Sequence, residues 1–66
     1  MDPLEQLWEQ LLSRQPELVR SAYNRLSPDE QAYVLRHLGR MASEEGWHVE
    51  QVLSAQAALQ ALDAGS

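Results

Sequence analysis

Three prolines set the points at which helices can begin in this chain of 66 residues. Proline fits the first turn of an α-helix, where its missing N–H is not needed, but inside a helix it removes a hydrogen bond and clashes with the preceding turn. Each of the three, Pro3, Pro16 and Pro28, is followed by apolar residues that recur every three or four positions. That periodicity predicts three separate amphipathic helices, each starting at its proline.

Capping residues and one glycine complete the predicted division of the chain. Asp2 with Glu5, and Ser27 with Glu30, have the spacing of a capping box at the start of a helix. Gly46 is expected to stop the third helix in a left-handed conformation, and a fourth helix follows it. The predicted fold is therefore an all-α bundle. Its four short helices are expected at roughly 3–14, 16–26, 28–45 and 48–63, within one domain, 1–66.

The apolar stripes of these helices predict a small common core. A chain of this length buries only about 60% of the surface that its unfolded form exposes. It has no cysteine, so no disulfide supports the fold and no thiolate is available as a nucleophile or metal ligand. Stability must therefore come from packed side chains or from association. The residues expected in the core are Leu7, Trp8, Leu11, Val19, Tyr23, Leu26, Val34, Leu38, Met41, Val52 and Leu59.

The fourth predicted helix is apolar around most of its circumference, because alanines fill the positions between its larger side chains. A helix that is apolar on most sides is usually buried on most sides. Two explanations follow: a central position in the bundle, or a surface at which the chain associates with itself. A third is that the alanines are helix-favouring residues in contact with solvent. The residues expected to contact a partner are Val49, Leu53, Ala57, Ala61 and Leu62.

The segment 43–52, SEEGWHVEQV, collects carboxylates, a histidine and a tryptophan around one glycine. Glu45 and His48 have the Glu-x-x-His spacing of metal sites in helical bundles, and zinc or non-haem iron accepts such ligands. The spacing occurs once, however, and Gly46 interrupts the helix that would place both side chains on one face. We therefore interpret the segment as the junction of two helices, filled by the Trp47 ring, and expect no metal ion and no cofactor.

Ten acidic residues against five basic ones give the chain a net charge of −5. This balance disfavours direct nucleic-acid binding, which is built largely on lysine and arginine neutralising phosphates. All five basic residues are arginines, which we attribute to codon usage in a GC-rich genome, with selection for bidentate contacts as the alternative. Arg14, Arg20 and Arg25 make the first loop and second helix locally basic, as a patch for a charged partner or as part of a surface salt-bridge network. Their expected partners within the chain are Glu9, Glu17 and Glu30.

The stretch LSPDEQAYVLRHL, residues 26–38, is followed by a turn and another helix, and it resembles the start of the helix-turn-helix of bacterial regulators. The resemblance implies a regulator that acts on nucleic acid, with the helix from Val49 to Leu62 as its recognition helix. That helix contains no arginine or lysine, the donors that read base edges. The second functional class is therefore a regulator that acts on nucleic acid or, as an acidic mimic, on a nucleic-acid-binding protein.

Sequence patterns of catalysis are lacking. The serines lie outside a nucleophile-elbow pattern and no glycine-rich phosphate loop is present, so we do not expect an enzyme. No apolar run approaches the roughly 20 residues of a membrane span, and the start of the chain lacks a secretory signal, so we expect a cytoplasmic protein without a membrane partner. The function predicted first is a small non-catalytic protein–protein interaction module. It would form a homodimer along the fourth helix or dock a helix of another protein, and a metal-binding helical bundle is the third class.

Overall fold

The computed structural model describes residues 3–64, which form four α-helices without a strand. This confirms the predicted all-α bundle. α4 packs against both α3 and α2, and α1 packs mainly against α2. In chain order the helices are α1 (Pro3–Leu11), α2 (Pro16–Asn24), α3 (Pro28–Ser43) and α4 (Val49–Ala64).

The first three helices begin at their prolines, as predicted. At α3 the capping box is formed: the Ser27 hydroxyl accepts a hydrogen bond from the Glu30 N–H at 3.3 Å, and the Glu30 carboxylate accepts one from the Ser27 N–H at 2.9 Å. The box predicted at the start of α1 includes Asp2, which lies outside the described residues. α4 begins at Val49, one residue after its predicted start.

The end of α1 differs from the prediction. The helix stops at Leu11 rather than near residue 14. The Ser13 hydroxyl donates to the Gln10 carbonyl at 2.7 Å, which closes the last turn, and Arg14 then adopts a left-handed backbone conformation with φ 63°. Because left-handed residues do not continue a right-handed helix, the chain turns there and becomes extended before the next proline.

The second and third helices each end two residues earlier than predicted. α2 ends at Asn24, and the Leu26 N–H then bonds to the Tyr23 carbonyl three residues back, which tightens the chain into a turn. α3 gives way at Glu44, whose backbone is extended. Gly46 has the predicted positive φ, 97°, but it lies in the α3–α4 turn beyond that cap and does not itself end the helix.

The core combines larger aliphatic side chains with four alanines. Of the predicted core residues, the buried ones are Leu11, Val19, Val34, Leu38 and Met41. Those that are half-buried are Leu7, Trp8, Tyr23, Leu26, Val52 and Leu59. The buried residues that the sequence prediction missed are Ala22, Ala55, Ala58 and Ala61. Their small side chains allow α4 and its neighbours to approach closely, because the distance between helix axes depends on the side chains at the contact.

Candidate partner-binding surface

The structure divides the partner-binding residues predicted on α4 between its outer and inner sides. Val49 and Leu53, one turn apart, are 63% and 44% exposed. Ala57 and Leu62 are half-buried, and Ala61 is a core residue at 5% exposed. Positions four residues apart rotate by about 40° around a helix, so Ala61 lies about 120° from Val49. Ala61 is therefore not available to a partner of the folded chain, and the exposed apolar pair among these five is Val49 and Leu53.

A more extended apolar surface lies between α1 and α3, and we call it the α1–α3 groove. It has a volume of about 250 Å³ and is open to solvent. Its apolar lining consists of Leu4, Leu7, Trp8, Leu26, Tyr33 and Val34. A neighbouring depression of about 440 Å³ runs along α1 and α2 and shares Leu4, Leu7 and Leu26 with the groove. The two together form a continuous surface that is mainly apolar in the groove and mixed in the depression, which Gln6, Gln10 and Arg25 also line.

The groove exists because the apolar stripe of α1 leaves the core toward the first turn of that helix. Leu11 is fully buried, Trp8 is half-buried, and Leu4 is 60% exposed. On α3, Val34 is buried whereas the adjacent Tyr33 is 61% exposed. Single exposed apolar residues are ordinary, whereas large contiguous apolar patches are more often interaction sites. Leu4 and Tyr33 were not among the predicted core residues, but neither was predicted to form a binding surface, because periodicity does not show which turn of a helix extends past the core.

Three aromatic rings surround His37 and connect the groove to the α3–α4 turn. The imidazole meets the Trp8 ring edge-on, with 5.0 Å between ring centroids, and the Trp47 ring edge-on at 5.8 Å. The Tyr33 ring, one turn earlier on α3, lies parallel to the imidazole within 9° at 6.2 Å. Sequence spacing relates His37 to Tyr33, but no local pattern indicates the contacts with Trp8 and Trp47, which join separate elements.

Within the described chain, the charged residues that line the groove are Asp29 and Glu30. The Glu30 carboxylate belongs to the α3 cap, and hydrogen bonds from the backbone N–H of Ser27 and then from its hydroxyl lower the pKa of Glu30. The Asp29 side chain makes no hydrogen bond or ion pair with any residue of 3–64. It precedes Tyr33 by four positions, so both side chains lie on one face of α3. An unpaired carboxylate therefore borders the apolar groove.

Arg14 links the α1–α2 turn to the start of α4. Its Nε donates to the Ser54 hydroxyl at 3.0 Å, and its Nη2 donates to the Glu50 carbonyl at 3.1 Å and to the Glu50 carboxylate. The hydrogen bond from Arg14, and then the charge of its guanidinium, lower the pKa of Glu50. The left-handed backbone of Arg14 thus accompanies a side chain that holds two distant elements together.

Arg20 and Arg25 also bond to other helices. Nη1 of Arg20 donates to the Ala61 carbonyl of α4 at 3.3 Å, and Nη2 of Arg25 donates to the Gln10 side-chain oxygen of α1 at 2.7 Å. The predicted pairing of the three arginines is wrong, because their side chains reach across the contacts between helices. None of the three arginines makes a hydrogen bond or ion pair with its predicted partners, which were Glu9, Glu17 and Glu30.

The junction between α3 and α4 is organised by a cap that the sequence analysis missed. His48 Nδ1 accepts a hydrogen bond from the Glu50 N–H at 3.1 Å, and the Gln51 side-chain oxygen accepts one from the His48 N–H at 3.2 Å. This reciprocal pair resembles a capping box, except that the imidazole bonds to the N–H of the second helical residue rather than the third. Trp47 is half-buried against the core, as predicted. Among residues 3–64 no three metal-binding side chains lie close enough together to hold an ion.

The fold and these surfaces define a small all-α bundle with an open apolar groove. No family model matches the sequence, and no characterised protein or solved structure shows a significant match to it. Within residues 3–64, no helix has the length and apolar character needed to cross a membrane. The function is therefore inferred from the geometry and the charge of the chain itself.

Proposed function

We propose that this protein is a small non-catalytic interaction module that docks a helix of another protein in the α1–α3 groove. The observation that carries the proposal is the pair Leu4 and Tyr33, 60% and 61% exposed, at a concave apolar surface. Trp8, which also lines the groove, and Tyr33 are of the residue types that contribute most to binding at interfaces. Covering such a surface removes apolar area from water, which favours association.

The dimensions of the groove favour a helix over a small molecule. The groove, at about 250 Å³, is below the roughly 300–1,000 Å³ that is usual for small-molecule sites, and the neighbouring depression of about 440 Å³ is open to solvent and partly lined by polar side chains rather than enclosed. From Leu4 to Trp8 the α1 wall is about 6 Å long, slightly more than one helical turn. A docked helix presents apolar anchors three or four residues apart, so two anchors match this length. The adjacent depression extends the surface along α1 to Gln10 and provides room for a further anchor.

The structural roles of three serines and both histidines support the proposal that the module is not catalytic. Ser13 and Ser27 bond to backbone groups at the ends of helices, and Ser54 accepts a hydrogen bond from an arginine. His48 is used as a helix cap. His37 is half-buried among aromatic rings. A catalytic nucleophile or base needs to be free to reach a substrate, and these groups already have structural partners.

A selection experiment with two matched variants tests the proposal. A displayed library of helical peptides of about 14 residues, or four turns, is selected against the folded protein. Leu4→Glu places a charge at the groove and should abolish binding of the enriched peptides. The change should alter stability by only about 0.5 kcal/mol, because Leu4 is already largely exposed. Leu53→Glu, on the outer side of α4, should leave binding unchanged.

The opposite outcomes contradict this assignment. Peptides that lose affinity with Leu53→Glu and bind Leu4→Glu normally would place the docking surface on α4. A selection that enriches no peptide sensitive to Leu4→Glu would remove the groove as a binding site. Circular dichroism of both variants establishes that the helices are retained.

Self-association through α4 is a second candidate, favoured by the exposure of Val49 and Leu53 one turn apart. This pair is smaller than the groove surface and is flanked by glutamine and glutamate side chains. In sedimentation equilibrium, self-association through α4 would give a dimer that Leu53→Glu dissociates and Leu4→Glu does not. A monomer at high concentration would contradict it.

A further inference from the structure

We propose that the helix docked in the α1–α3 groove carries an arginine whose guanidinium lies between the Asp29 carboxylate and the exposed face of the Tyr33 ring. The inference rests on the proposed function of the groove and adds the chemistry of the partner. It follows from three observations: the exposure of Tyr33, the position of Asp29 along the same helix, and the charges that line the groove.

The Tyr33 ring is largely open to solvent at the groove. His37, one turn toward the C-terminus of α3, lies parallel to the Tyr33 ring within 9°, with 6.2 Å between ring centroids. Asp29 is one turn away in the opposite direction, about 6 Å along the helix axis. Tyr33 is 61% exposed and lines the same groove as Asp29, so a face of its ring is accessible to a partner there. A cation within about 6 Å of the ring centroid is attracted to such a face.

Within residues 3–64 no cation pairs with the Asp29 carboxylate, so a cation bound there would come from a partner. The Glu30 carboxylate bonds to the α3 cap, whereas the Asp29 carboxylate makes no hydrogen bond or ion pair with any residue of 3–64. The position of Asp29 in the first turn of α3 stabilises its negative charge through the helix dipole, so the carboxylate needs no ion-pair partner for folding. Arg25 lines the neighbouring depression, but its guanidinium bonds to Gln10. The net charge of −5 also attracts a cationic segment.

Arginine matches this geometry better than lysine. Its planar guanidinium can lie flat on an aromatic ring and donate two parallel hydrogen bonds to a carboxylate at the same time, whereas an ammonium is a compact, strongly hydrated charge. The partner is therefore an amphipathic helix with apolar anchors for the groove and an arginine beside them. A second copy of this chain would supply the guanidinium through Arg36, because the Arg36 side chain makes no hydrogen bond or ion pair with any residue of 3–64.

The experiment compares peptides that differ in one group. Peptides enriched in the library selection should carry an arginine beside their apolar anchors. The best of them is synthesised with arginine, with lysine and with citrulline, which keeps the shape of arginine and lacks its charge. Citrulline should weaken binding about tenfold, as expected for a partly exposed ion pair together with a cation–π contact, and lysine should weaken it less.

Two variants of the protein test whether the preference for arginine over citrulline arises at Asp29 and Tyr33. In Asp29→Asn and in Tyr33→Leu, the difference in affinity between the arginine and citrulline peptides should shrink to a few-fold. Because both peptides are measured against the same variant, a change in its stability cancels from the comparison. Glu17→Gln, at an exposed acid outside the groove, is the control and should keep the tenfold difference.

The outcomes separate this inference from the proposed function. Equal affinity for arginine and citrulline peptides, with binding still abolished by Leu4→Glu, would overturn the arginine site and leave the groove in place. Absence of any peptide sensitive to Leu4→Glu would overturn both. A homodimer that dissociates in Arg36→Ala and in Asp29→Asn would show that a second copy, rather than another protein, supplies the guanidinium.

Discussion

Gly39 and Gly46 both have open space where a side chain would begin, but their backbones differ. An added Cβ would meet no atom within 4 Å at either position. Gly39 lies inside α3 with an ordinary helical conformation, so no close approach of another backbone accounts for it, and it is a weak point of the helix. Gly46 has φ 97°, a conformation that residues with a side chain rarely adopt.

The same substitution should therefore have opposite effects at the two glycines. Gly39→Ala is expected to stabilise the protein by about 1 kcal/mol, the difference in helix propensity. Gly46→Ala is expected to destabilise it by about 1–2 kcal/mol, the cost of a left-handed residue with a Cβ. Urea unfolding followed by circular dichroism measures both. Shifts of the same sign would mean that the turn conformation is wrongly described.

Glu50 should make stability depend on pH. Arg14 lowers the pKa of Glu50 in the folded state, so the interaction contributes fully above the pKa of the unfolded state and is lost as the pH falls through the folded pKa. The difference in urea midpoint between the wild-type protein and Glu50→Gln should therefore be larger at pH 7 than at pH 3. Glu45→Gln is the control, because the Glu45 side chain makes no hydrogen bond or ion pair with any residue of 3–64. An equal difference at both pH values would contradict the assignment.

At the scale of the helices, α4 depends on a cap at its start because its apolar surface alone does not fix where it begins. His48 and Gln51 provide that cap. His48→Ala should cost about 1 kcal/mol, as other N-cap removals do, while His48→Asn should retain most of the stability because it keeps an acceptor. Urea unfolding of the two variants makes the comparison. Equal losses in both would show that the imidazole stabilises the junction by packing rather than by capping.

The starts of the helices could be predicted from sequence to within one residue, whereas the ends of the first three could not. Starts depend on local features, a proline or a capping box, that any segment carries with it. The turn after α1 instead contains Arg14, which has a left-handed backbone and a side chain that bonds to α4, far away in the sequence. Likewise, periodicity showed that α4 is apolar on most sides, but only packing decides that Ala55 and Ala58 are covered while Val49 is exposed.

At the scale of the whole molecule, the candidate site arises from an arrangement that no single helix encodes. The apolar stripes of α1 and α3 both have the period of core-facing helices, and that period does not show where a stripe leaves the core. α1 packs mainly on α2, and its first turn extends past the core beside α3, which leaves Leu4 and Tyr33 exposed. A domain of this size has a total stability of only about 3–10 kcal/mol, so covering this surface with a partner would be a substantial further gain.

The most direct test of the groove is a nuclear magnetic resonance titration of the isotope-labelled protein with a selected helical peptide. We predict shifts of the backbone signals of Leu4, Leu7 and Tyr33 and of the Trp8 indole N–H. The signals of Val49 and Leu53, on the outer side of α4, should remain in place. Shifts confined to Val49 and Leu53, with the Leu4 and Trp8 signals unchanged, would contradict the account.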